Sequence, residues 1–98
     1  MSEERPKTLQ IQVDLDPETA QGMYVNMAMV NHTEGEFTID FIYVQPQAPK
    51  AKVRARIITS PKHTKRLLLA LKDSVDKFER KHGEIVLDEA APSGHILN

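Results

Sequence analysis

Seven residues between Lys52 and Arg66 form the densest set of reactive side chains in this 98-residue chain. Lys52, Arg54 and Arg56 occupy alternate positions, so on a strand they stand on one sheet face. Ser60, Lys62, Lys65 and Arg66 follow, where Ser60-Pro61 is suited to open a helix. Bases in the first turns of a helix oppose its dipole by roughly 0.3–1 kcal/mol each, and a local rule broken in this way can mark function. Free N–H groups, Ser60, Thr64 and three bases would suit a phosphate or carboxylate, and with Lys50 the block would suit nucleic acid or another polyanion. The competing expectation, which the balance favours, is that these bases pair with acids of the first forty residues, within or between subunits. The whole chain carries a net charge of −1, and no stacking aromatics are interleaved with the bases.

No other chemistry assembles. His32, His63, His82 and His95 fall in separate elements without i,i+3 or i,i+4 partners, so no metal site is expected. Ser60 and Ser74 lack any surrounding motif that would activate a hydroxyl, and Ser60 is better used as a cap. Asp40 and His32 could be drawn as an acid/base pair across a hairpin, but the first serves strand register and the second sits at a turn. The reading is of a protein that is not an enzyme and has no cofactor.

The elements that position these residues follow from pattern. A chain 40% hydrophobic and 28% charged fills one core. The absence of cysteine removes disulfides and thiolate chemistry. No apolar run is long enough to span a bilayer, and the polar start MSEERPKT offers no signal segment, which makes a cytoplasmic address the default expectation. Charge is unevenly spread: residues 1–40 hold eight acids and two bases, residues 41–72 eight bases and no acid, and residues 73–98 six acids and three bases.

Residues 1–7 are expected to be disordered, residues 8–85 to form a single domain of four strands and a helix, and residues 86–98 to form a loose tail. Leu9, Ile11, Val13 and Leu15 alternate with polar residues, predicting a first strand. Asp16-Pro17 ends it, with Asp16 placed to cap a short turn. Met23 to His32 and Glu36 to Gln45 read as a hairpin across Glu34-Gly35, in a register that sets Val30 opposite Ile39 and Ala28 opposite Phe41. Ala51 to Thr59 forms the fourth strand, and pairing like faces sets Phe41 opposite Val53, Ile39 opposite Ala55 and Asp40 opposite Arg54. Leu67, Leu68, Leu71, Val75 and Phe78 then give a helix one apolar stripe, closed at Gly83. The expected fold is α+β: a four-stranded antiparallel meander with one long C-terminal amphipathic helix packed on one face.

That helix would cover Ile39, Phe41, Val53, Ala55 and Ile57. The opposite face presents Val25, Met27, Met29, Ile42 and Val44, too apolar for a wetted surface. A homo-oligomer, dimer or tetramer, is therefore expected to use that face or the strand edges. The methionines would also give an adaptable surface for apolar polypeptide. A polypeptide partner thus stands beside a less favoured nucleic-acid partner, and no membrane association is expected.

Ala20 to Ile85, with its EFTIDF strand, its KAKVRARIITSPKH passage and its LLLAL and FERKHGEI helix segments, resembles a family of small prokaryotic proteins known as domain of unknown function 3467. The resemblance implies a fold but no activity and no functional residues. The four strands and long helix are also similar in layout to the export chaperone SecB, which forms tetramers and binds unfolded chains. This likeness is of layout alone.

Overall fold

The computed structural model describes residues 9–88. The expected disorder of residues 1–7 and most of the expected tail lie outside that range. A short helix α1 (Pro17–Ala20) is followed by strands β1 (Met27–His32), β2 (Phe37–Val44) and β3 (Ala51–Thr59), then by the long helix α2 (Pro61–His82). The strands form one antiparallel sheet in the order β1-β2-β3. The fold is therefore α+β.

Local signals account for the turns. Asp16 caps α1, accepting hydrogen bonds from the Thr19 amide at 3.0 Å and the Thr19 hydroxyl at 2.7 Å. In the β1–β2 turn the Thr33 hydroxyl accepts from the amides of Gly35 and Glu36, both at 3.2 Å, satisfying donors that the tight turn would otherwise leave open. The hairpin register is the expected one, with Val30 opposite Ile39 and Ala28 opposite Phe41. The ladder stops short of Met23 because the Asn26 carboxamide takes over, accepting from the Val44 amide at 2.8 Å and donating to the Val44 carbonyl at 3.1 Å.

The pairing of β2 with β3 differs from expectation in two ways. Ile39 faces Ile57, Asp40 faces Arg56 and Phe41 faces Ala55, a slip of two residues from the predicted alignment. A slip of two preserves every side chain's face, so hydrophobic pattern could not discriminate between the alternatives. Beyond Phe41 a β-bulge intervenes: Ile42 faces Val53 and Tyr43 faces Lys52, leaving Arg54 as the extra residue. The bulge reconciles an eight-residue strand with a nine-residue one. It also moves Val53 to the face of Ile42, and Lys52 to the face of Tyr43.

Two further expectations are corrected. Leu9 to Leu15 form no strand; their apolar side chains are 66–84% exposed, and the sheet has three strands rather than four. Alternation specifies a strand's faces but supplies no neighbour, and neither sheet edge of this chain is brought alongside the segment. Nor is α2 packed on the sheet as a lid: none of its residues is buried. Ile57 and Val53, expected beneath it, are each 46% exposed. The apolar residues that are buried among those described are Met29, Ile39 and Ile42, all in β1 and β2.

α2 is nonetheless well formed by its own signals. Ser60 caps it, accepting from the His63 amide at 3.1 Å, and Pro61 occupies its first turn. Gly83 ends it with a φ of 98°, accessible to glycine at little steric cost, and its N–H donates to the Glu79 carbonyl. The Glu79 carboxylate then accepts from the Ile85 amide at 2.9 Å. No helix among the described residues is long and apolar enough to cross a membrane.

Candidate binding surface

β2 is the strand on which the cationic residues are sorted. Its central Asp40 is buried and meets Arg56 in a two-pronged ion pair, Nε to Oδ1 at 2.7 Å and Nη2 to Oδ2 at 2.9 Å. The Asp40 side chain is 3% exposed whereas that of Arg56 is 56% exposed, so the guanidinium lies over a carboxylate withdrawn from water. The hydrogen bond from Arg56 holds the Asp40 carboxyl below the ordinary aspartate range, against the opposing effect of burial and with a smaller contribution from the Arg56 charge. The same hydrogen bond, with the carboxylate charge, raises the Arg56 guanidinium. Arg56 is thereby committed to the fold.

The bulge places Arg54 on the other side. Its guanidinium carbon lies 4.7 Å from the centroid of the Tyr43 ring, a cation–π contact, and Tyr24 meets the same ring edge-on at 6.2 Å. Lys52 stands opposite Tyr43 in the ladder. Tyr43, Lys52 and Arg54, with Gln45, Pro49, Lys50 and Ala51, line a hollow of about 580 Å³ at the β2–β3 end of the sheet. A second hollow of about 650 Å³ is lined by Ser60, Pro61, Lys62, Lys65, Arg66 and Leu69 at the start of α2. The two hollows share no residue. The seven residues from Lys52 to Arg66, read as one block in sequence, are thus divided three ways.

Of the hydroxyls at the α2 start, that of Thr64 is used as a donor and that of Ser60 only as an acceptor. The Ser60 oxygen serves as the cap, and the Thr64 hydroxyl donates to the Ser60 carbonyl at 2.8 Å. The second hollow therefore offers an anion the donors of its three bases and the Ser60 O–H, beside the apolar Pro61 and Leu69. The first gains Tyr43 and Gln45, which the sequence reading omitted from the site. Tyr43 reaches Arg54 because of the bulge, of which the residue alternation gives no sign.

The proposed apolar face is assembled but not bare. Met27 faces Ile42 across the ladder, and Ile42 and Met29 are 3% and 8% exposed. Val25, Met27 and Val44 are half-buried. The large exposed apolar surfaces lie instead on Leu9 to Leu15 and along α2, where Leu67, Leu68, Leu71, Val75 and Phe78 are 41–61% exposed. The described histidines are apart: His32 stacks on Phe37, His82 lies against Phe78, and His63 is in the first turn of α2. Among the described residues no group of three His, Asp or Glu side chains converges as a metal site would require.

The arrangement defines a small α+β domain: a three-stranded meander with an internal ion pair, a basic hollow at one end and a helix lacking cover. The chain belongs to the family described as protein of unknown function (DUF3467), whose model matches residues 1–87. Comparison with curated proteins and with solved structures gives no match.

Proposed function

We propose that the protein is a non-enzymatic, homo-oligomeric binding module, with holding of apolar polypeptide in the manner of SecB as its most specific form. The observation that supports this reading is α2, a 22-residue amphipathic helix with a continuous apolar stripe and no buried residue. Burying a Leu, Val or Phe side chain contributes roughly 1.5–3 kcal/mol, so five half-exposed ones represent a large unused driving force for association. On the sheet, the half-buried Met27 opposite Ile42 adds a side chain suited to an adaptable surface. Light scattering is expected to give a dimer or tetramer, with binding of a hydrophobic dye and reduced aggregation of an unfolded client. A monomer that does neither would refute the reading.

A second reading has its own support in the hollow around Tyr43, Lys50, Lys52 and Arg54, three cations beside one aromatic ring. It would take a polyanion such as nucleic acid. It ranks lower because the face of Tyr43 is already engaged by Arg54, which leaves no free stacking platform. Titration with single-stranded DNA and RNA at low and high salt tests it, since phosphate contacts weaken steeply as salt rises. No binding at low salt would remove it.

A further inference from the structure

We propose that residues 9–15 of one chain form an added strand on the outer edge of β3 in a second copy. This rests on the homo-oligomeric reading above and specifies its interface. The segment has the alternation of a half-buried strand, yet among the described residues it pairs with no strand, and its four apolar side chains are 66–84% exposed. Among the described residues its one side-chain hydrogen bond joins Gln12 to Asp14 at 3.2 Å. The area fits a second copy. The four apolar residues of this segment and the five of the α2 stripe leave on the order of 1,000 Å² bare, judged from the size of such side chains and their exposure. A stable interface needs about 800 Å² from each partner.

Charge selects the edge. The segment carries Asp14 and leads through the cap residue Asp16 to Glu18, and the ion pairs among the described residues (Arg56–Asp40, Lys72–Asp76 and Lys77–Asp73) include neither Asp14 nor Glu18. β1, with the sequence MAMVNH, offers them no cation and has six residues. β3 has nine residues and carries Lys52 and Arg54, both outside those pairs. Cations along an edge also repel a second β3, so two copies do not join through like edges, while an acid-bearing strand is accepted. The unequal distribution of charge between the first forty residues and the middle of the chain then has a use between subunits.

The chain contains no cysteine, so single thiols can be introduced cleanly. A Gln12→Cys chain is mixed with a mass-tagged Ala55→Cys chain and treated with a flexible bis-maleimide, with a Val30→Cys chain on β1 as the alternative edge. The mixed adduct with Ala55→Cys is expected to exceed that with Val30→Cys by roughly tenfold, as a high local concentration requires. Ile11→Pro, which removes a ladder donor, is expected to weaken association by roughly tenfold or more with unchanged helix content by circular dichroism. A wild-type monomer would overturn the oligomeric reading and this inference together. An oligomer that cross-links only to Val30→Cys, only within a doubly substituted single chain, or not at all would overturn this inference alone.

Discussion

β2 and α2 carry equally clear apolar patterns, yet they are stabilised in different ways. β2 lies between two strands, and Ile39, Asp40 and Ile42 are almost wholly withdrawn from water. α2 buries nothing and is held by its cap, its proline, its terminal glycine and two exposed i,i+4 ion pairs. Such exposed pairs contribute only about 0.3–0.5 kcal/mol each, so the helix depends on local signals until something covers its stripe. An element at the centre of a meander finds its partners within the chain. An element that follows the meander without packing on it can present the same amphipathic pattern to a partner outside the described residues.

The sharpest contrast should come from removing apolar volume in each region. Ile42→Ala empties a site that is 3% exposed, and the expected loss is about 2–5 kcal/mol in chemical denaturation. Leu71→Ala removes a side chain that is 54% exposed, and the loss in a dilute monomeric sample should be small. An equal loss at both positions under dilute conditions would mean that α2 is packed within its own chain, and the distinction between the two regions would collapse.

The central ion pair makes the same comparison in pH. Because Asp40 titrates below its unfolded value in the fold, it contributes stability above the unfolded pKa, and that contribution is lost as pH falls through the folded one. Asp40→Asn should therefore lower the denaturation midpoint by a constant amount from about pH 5 to pH 8, with the gap to wild type closing below about pH 4. Midpoints measured across that range check it. A gap that persists unchanged in acid would show that the carboxylate charge is not what Arg56 recognises.

The elements that local chemistry dictates were the legible ones. Asp16 and Ser60 announce the starts of α1 and α2, Gly83 marks an end, and the turn at Glu34-Gly35 sets the β1–β2 register without reference to anything distant. The β2–β3 register is set over a longer loop containing Pro46 and Pro49, where two alignments of equal face parity compete, and the opposite charges of Asp40 and an arginine were satisfied by either one. Arg56 prevails because that alignment also joins Ile39 to Ile57. The bulge at Arg54 leaves almost no trace in the pattern, and with it went the division of the cationic block and the role of Tyr43. Leu9 to Leu15 were misplaced for another reason: alternation of residue type reports which face is apolar and says nothing of which chain supplies the neighbour.

The smallest effect is the most diagnostic of α2's condition. Ser60→Ala removes the acceptor for the His63 amide, at a cost of about 1 kcal/mol to the helix. For a helix held by local signals this is a large share of its stability, and helix content by far-ultraviolet circular dichroism should fall visibly in dilute solution. Raising the protein concentration should restore most of it, because burial of the apolar stripe between copies then outweighs a single cap. The wild type should show the same concentration dependence in weaker form. If the Ser60→Ala loss is instead identical at all concentrations, α2 gains nothing from association, and the uncovered stripe would have to serve a partner other than a second copy.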